Sequence, residues 1–476
     1  MTKLSLLSIA IIFMTACNQS SNESSTGTKS DSSTLSSDQQ IIQTAKEAYD
    51  FGFPLVVMDL TRRVITNTEH PDQLLMRAPI NQLVSANKFP DDKFRDVVRP
   101  NCDTYYTISS IDLSKEPLVL EMPDTKGRYV LLPMLDAWTN IFFSPGKRTS
   151  GTGAQSYLLT GPNWKGEVPK GLNQQVSPTN MVWLLGRTQV NSAKDGSTVV
   201  KKIQDGYKLI PLSAYSKSYT APAGTKDSSL PKKSPNEIIS EMSVSDYFNL
   251  LNQLMVVNPP LPADSAIMKK LGPLGISPGG HFDLSKFSPE LQDSLKNIPA
   301  WGINNMKVTG LSLTKPVNGW MMNHGLGTYG TDYSKRAGVA FGGLGANLDA
   351  DAMYPSSITD ADGEIYDGSK HGYIIHFDPG KLPPANAFWS LTMYDKDGFL
   401  CSNDINRFAI GDRDHLKKNP DGSLDIFIQI NRPGKNKEPN WLPAPNGPFN
   451  LLLRVYWPKE EMINGSWNPP PVKKQT

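Results

Sequence analysis

Between Ile41 and Asp59, the residues Ile41, Ala45, Ala48, Tyr49, Gly52, Leu55 and Val56 recur at the spacing of one helix face. The pattern predicts a helix opening near Ser37-Asp38, a pair suited to capping the first backbone N–H groups. Pro54 lies inside it and has no N–H to give, so the helix is expected to kink or split there. From about Leu74 to Tyr215 the texture changes. Short apolar runs such as Pro117 to Leu120, Tyr129 to Leu135, Tyr157 to Leu159 and Met181 to Leu185 are parted by glycine- and proline-bearing turns, the texture of short strands. Thr220 to Pro235, rich in Lys, Ser, Pro and Ala, reads as a linker. Ser234-Pro235-Asn236-Glu237 then has the form of a capping box with proline at the first helical position. Val244, Tyr247, Phe248, Leu251, Leu254 and Met255 form one helical stripe, and Ala263 to Leu271 and Pro289 to Ile298 read as two further helices.

From Asn318 the β texture returns, with strands expected at Tyr373 to Phe377, Phe388 to Tyr394, Leu424 to Ile430 and Leu451 to Trp457. In Leu424 to Ile430 the four aliphatic residues alternate with Asp425, Phe427 and Gln429, which suits a sheet with one face in a core. Asp362-Gly363, Asp397-Gly398 and Asp421-Gly422 are hairpin-turn dipeptides beside these strands. Phe388 to Tyr394 carries apolar groups on both faces, so its outer face should be covered by the helical insert, the N-terminal domain or a partner chain. The expected fold is mainly β with helices, an α+β arrangement of two β-sandwich or jelly-roll-like domains, an N-terminal helix and a helical insert. The expected divisions are an N-terminal helical segment at 38–66, a β domain at 67–219, a linker at 220–235, a helical insert at 236–310 and a second β domain at 311–472.

The N-terminus carries an address. Lys3 and the apolar run Leu4 to Met14 have the form of a signal peptide, too short to cross a bilayer. The run ends in Met14-Thr15-Ala16-Cys17, which resembles the lipobox of bacterial lipoproteins. On that resemblance residues 1–16 are removed and Cys17 carries the lipid, a membrane anchor. Residues 17–37 then form a tether, since Asn18 to Ser37 holds nine serines and three threonines and little that could be buried. Asn18 in place of aspartate resembles lipoproteins sorted to the outer membrane, so the expected location is the cell envelope, facing the periplasm.

The 476 residues include 48 Lys and Arg against 46 Asp and Glu, a net charge of +2, which leaves no electrostatic footprint for nucleic acid. Beyond Cys17 only Cys102 and Cys401 remain, too few for a disulfide scaffold. They are two separate thiols or one bridge.

Arg99-Pro100-Asn101-Cys102-Asp103-Thr104-Tyr105, Gly161-Pro162-Asn163-Trp164, Phe388-Trp389-Ser390-Leu391-Thr392-Met393-Tyr394 and Asn440-Trp441-Leu442-Pro443-Ala444-Pro445 carry a resemblance. The chain resembles the bacterial proteins that pair domain of unknown function 1254 with domain of unknown function 1214. The resemblance implies two β-rich, jelly-roll-like domains and no established catalytic residue.

Motif chemistry is sparse. Gly275-Ile276-Ser277-Pro278-Gly279 spells a nucleophile elbow, but Pro278 has no N–H to donate to an oxyanion. The six histidines form no metal-ligand spacing, and no phosphate loop or dinucleotide fingerprint is present, so no metal or cofactor is expected. Asp360, Asp362 and Asp367 could hold calcium but read better as turn residues. Asn101, Asp103 and Thr104 could cap local backbone groups. They could instead form a pocket, with Asp103 as acid, base or acceptor and Tyr105, Arg148, Trp389, Arg407 and Trp441 lining it, groups that stack on and hydrogen-bond polar ligands. The expected function is a lipid-anchored envelope protein that binds a polar ligand such as a glycan. The alternatives are a cofactor-free hydrolase using Asp103 and a structural or assembly protein, with homo-oligomers among the expected partners.

Overall fold

The computed structural model describes residues 36–312 and 316–475. The expected signal peptide, Cys17 and nearly all of the expected tether lie outside the described residues.

The first helix, Ser37–Ile65, opens one residue earlier than the sequence pattern suggests. Ser36 is the N-cap: its hydroxyl accepts from the backbone N–H of Gln39, whose side chain accepts from the N–H of Ser36. The helix is not split at Pro54 and runs on to Ile65. Every residue from Tyr49 to Leu60 is buried, so neighbours hold both sides of the proline in register. A helix buried all round must be enclosed. Helices Pro235–Ser240, Val244–Val257, Ser265–Leu271, Pro289–Lys296, Ile298–Ser312 and Tyr333–Gly343 surround it. Gly302 lies so close to the Tyr49 ring that no Cβ fits, and Tyr49 stacks on Tyr247 at 4.2 Å. Tyr333–Gly343 falls in a stretch whose sequence reads as β. Its buried residues are Arg336 and the small Ala337, Gly338, Val339 and Ala340, which leave no bulky apolar stripe to read.

Each β domain follows one plan, a six-stranded sheet packed on a four-stranded sheet. In the first, the large sheet is built on the antiparallel pair Thr104–Asp112 and Met181–Gln189. Ile111, Val182, Leu184, Leu120 and Leu159 fill the space between its two sheets. In the second, the large sheet is built on Ala385–Asp395 and Phe449–Pro458, and Trp389, Leu391, Met393, Leu451, Leu453 and Val455 enter its core. In each domain the small sheet contains one parallel pair, Gln155–Thr160 with Asn173–Val176 and Leu424–Gln429 with Trp441–Pro443. No helix among the described residues is long and apolar enough to cross a membrane.

The outer faces of the two large sheets are also buried. Ile108, Met181 and Leu185 turn toward the helices. At the other end of the same face, Tyr129 and Leu131 pack on Phe388 and Tyr456 of the second domain. The covering that the two-faced strand Phe388 to Tyr394 requires is therefore the N-terminal β domain.

Burial also sets a pH dependence. Asp50, Asp136 and Asp412 have their carboxyls pushed up to about 6, in each case chiefly by burial. Hydrogen bonds oppose the rise, to Asp50 from Ser334 and Asn305 and to Asp136 from the backbone of Asn140 and Trp138. A carboxyl raised on folding takes up a proton as the chain folds. Its stabilising contribution is full below the unfolded value near 4 and is lost as pH climbs through 6. Stability from these three groups is therefore expected to fall between about pH 4 and pH 7. Asp136→Asn should remove its share of that slope in denaturation midpoints measured across the range. An unchanged slope would contradict the assignment.

Candidate functional site at the junction of the two large sheets

The junction begins with a loop. Pro100 precedes Asn101, whose Oδ1 accepts from the backbone N–H of Asp103 at 2.7 Å and of Thr104 at 3.2 Å. This is the local capping that short polar side chains favour. It frees the amide nitrogen to look outward. Asn101 Nδ2 donates to Tyr456 OH at 2.9 Å across the junction, to Thr104 Oγ1 at 3.0 Å and to Tyr106 OH at 3.4 Å.

Asp103 is fully buried between the domains. Its Oδ2 accepts from Ser390 Oγ at 2.6 Å, and its Oδ1 pairs with Arg413. Arg413 also donates to the carbonyls of Val190 and Asp103 and lies over the Phe388 ring. Both carboxylate oxygens are engaged and water is excluded. Asp103 is thus a clamp between domains rather than an acid or base open to substrate.

Two further arginines enter the same layer. Arg454, on Phe449–Pro458, donates to Thr392 Oγ1 and Tyr394 OH, each at 2.7 Å, and to the Arg99 carbonyl at 3.0 Å. Arg187, on Met181–Gln189, donates to Asn347 Oδ1 at 2.9 Å and to the Leu185 carbonyl at 3.0 Å. Its guanidinium lies 5.1 Å from the Tyr106 ring, and its buried Nε has no partner among the described residues. Gly345, at φ +87°, lets the Asn347 loop settle against Trp183 and Leu185, where a Cβ would collide. Arg413 is matched by Asp103, whereas Arg187 and Arg454 form no ion pair with a carboxylate among the described residues.

Phenols surround this excess of positive charge. Tyr354 OH accepts from Asn347 at 2.6 Å, and its ring meets Tyr456 edge to face. Tyr106 and Tyr354 are the half-buried members of the cluster. Burial alone would raise the Tyr106 phenol. The Arg187 guanidinium, the Asn101 amide and Arg454 outweigh it and hold the phenol below its ordinary value.

The structure gathers only part of the expected set. Asn101 and Asp103 are at the junction. Arg148 joins the domains elsewhere, its Nε 2.6 Å from Asp351 Oδ1, with Ser144 on the other oxygen. Tyr105 points from the opposite face of its strand, against Phe89, Val190 and Val200. Trp389 is in the core of the second domain. Arg407 and Trp441 meet each other, with Arg407 donating to the Trp441 carbonyl at 2.9 Å and Trp441 Nε1 donating to Gln429, away from Asp103. No single pocket is lined by all of them. Arg187, Tyr106, Tyr354, Arg413, Arg454 and Tyr456 escaped the sequence reading. The available signals were lone arginines in apolar strands, Arg187 just past Met181 to Leu185 and Arg454 inside Leu451 to Trp457.

Other motifs also find their places. Asp360, Asp362 and Glu364 converge on the Lys474 ammonium at 3.3, 3.1 and 2.7 Å, so the charge of a lysine neutralises them. Asp367 caps Ser369 and pairs with Lys370. Among the described residues no group of three His, Cys, Asp or Glu side chains is placed to hold a metal. Cys102 and Cys401 are separate free thiols, each pushed up to about 12 by burial. An open groove of about 500 Å³ on the second domain is lined by Ser369, Lys370, His371, Gln429, Asn431 and Gln475, with no Phe, Tyr or Trp ring for a sugar to stack on.

Two family models and one solved structure agree with this architecture. Residues 80–211 match the model of a protein of unknown function, DUF1254, and residues 351–460 that of a second, DUF1214. The crystal structure of the VPA0106 protein from Vibrio parahaemolyticus is similar, at 25% identity and a TM-score of 0.68, covering 91% of this chain and 100% of that one. A structure of an uncharacterized protein from Burkholderia cenocepacia aligns over 92% of each chain at 12% identity and a TM-score of 0.41. No curated protein matches the chain. Two sandwiches of one plan, each containing one matched segment, make this a two-domain protein in which a DUF1254 unit precedes a DUF1214 unit.

Proposed function

We propose that the chain is a lipid-anchored envelope protein that binds an anionic polar ligand, an acidic sugar or glycan, at the junction of its two large sheets. The observation that carries the reading is the pair of buried guanidinium groups, Arg187 and Arg454, with no carboxylate partner. An unpaired buried charge is costly, and an anion arriving beside it recovers part of that cost. Arginine presents a planar fork suited to a carboxylate. The phenols of Tyr106 and Tyr354 supply rings and hydroxyls of the kind that hold sugars.

Isothermal titration of the full chain with galacturonate and with neutral galactose tests the reading. Galacturonate is expected to bind at least tenfold more tightly, and Arg187→Gln to remove that preference. Equal affinity for both sugars, or an unchanged preference in Arg187→Gln, would contradict it.

The anchor has its own test. Cys17→Ser should abolish labelling by a clickable palmitate analogue that marks the wild type. Equal labelling of both would end the lipoprotein reading.

A further inference from the structure

Resting on the anion-site reading, we propose that the junction acts on its ligand: Tyr106 is the acid–base group of a β-elimination on a uronate sugar whose carboxylate lies on Arg187.

The geometry comes from the sheet. Tyr106 and Arg187 are directly opposite each other in the antiparallel pair Thr104–Asp112 and Met181–Gln189. Cross-strand neighbours on one face sit about 5 Å apart at their Cβ atoms. A carboxylate on the guanidinium would therefore place its adjacent carbon beside the phenol oxygen. The other two phenols of the cluster, Tyr354 and Tyr456, are raised by burial. Asp103 is consumed by Arg413 and Ser390, and the Cys102 thiol is pushed up to about 12 by burial. Asn101 Nδ2, 3.4 Å from Tyr106 OH and 2.9 Å from Tyr456 OH, is a positioning residue that supports negative charge on the phenol oxygen. The surroundings lower the Tyr106 phenol, which matches its use as a base.

The step balances without a co-reactant. The Tyr106 phenolate takes the proton from the carbon next to the carboxylate. Arg187 neutralises that carboxylate, which lowers the cost of the developing carbanion. The electron pair forms a carbon–carbon double bond, and the glycosidic C–O bond at the next carbon breaks. The departing oxygen takes the proton back from the Tyr106 phenol. One chain end carries an unsaturated uronate and the other a free hydroxyl.

The test uses the full chain with oligogalacturonates, oligoglucuronates and neutral cello-oligosaccharides. The readouts are the ultraviolet absorbance of the new conjugated double bond and binding by calorimetry. The wild type should produce absorbance with a uronate and none with the neutral control. Tyr106→Phe, compared with the wild type at saturating uronate, should lower the rate by about 100-fold or more, the scale of a lost acid–base group. Uronate binding without absorbance would overturn the elimination and leave the anion site standing. Absence of uronate binding would overturn both. A rate unchanged in Tyr106→Phe would remove Tyr106 from the role.

Discussion

Asp103→Ala is expected to destabilise the whole chain by about 3–5 kcal/mol, the cost of removing one partner from a buried ion pair. The cost arises because Arg413 loses the carboxylate that matches its charge and Ser390 Oγ loses its 2.6 Å acceptor. The damage falls on the contact between sheets rather than inside either sandwich, because Ser390 and Arg413 belong to the second domain and Asp103 to the first. Asp103→Asn keeps an acceptor for Ser390 but not the charge, so it should fall between alanine and wild type. Equilibrium denaturation of the three proteins checks the order. A loss below about 1 kcal/mol for alanine would mean that the pair does not hold the junction.

Trp389→Ala should cost about 3–5 kcal/mol by a different route, the emptying of a packed core site. Trp389 is buried beside Phe377, with ring centroids 5.8 Å apart, in the core of the second domain. Its neighbours Phe388 and Ser390 point the other way, onto Tyr129 and Asp103 of the first domain. A collapsing core shifts that strand and with it the junction. The melt is therefore expected to move as one transition to lower temperature. Melting of the second domain alone, with the first left at its wild-type temperature, would show that the sheets are not coupled.

The strands were legible because they obey simple periods. Leu424 to Ile430 alternates, Met181 to Leu185 is a continuous apolar run, and both became strands. The two-faced run Phe388 to Tyr394 also announced a covered outer face. The helix Tyr333–Gly343 was hidden because its buried residues, Arg336, Ala337, Gly338, Val339 and Ala340, make no strong apolar stripe at helical spacing. The proline at 54 misled in the other direction, since local chemistry predicts a break that tertiary packing overrules. The site itself was half legible. Asn101 and Asp103 stand in a compact polar motif, but Arg187, Arg413, Arg454 and Tyr456 sit singly inside apolar strands or loops far apart in sequence. Tyr456 is 355 positions from the amide that bonds it. Sequence reading instead favoured the conspicuous residues Trp441 and Arg407, whose polar groups satisfy backbone carbonyls inside the second domain.

The most direct measurement is a crystal structure of the chain grown with galacturonate. The sugar carboxylate is expected within hydrogen-bond reach of Arg187 and the sugar ring beside Tyr106 and Tyr354. A sugar seated instead in the open groove beside His371, or an empty junction at saturating sugar, would contradict it.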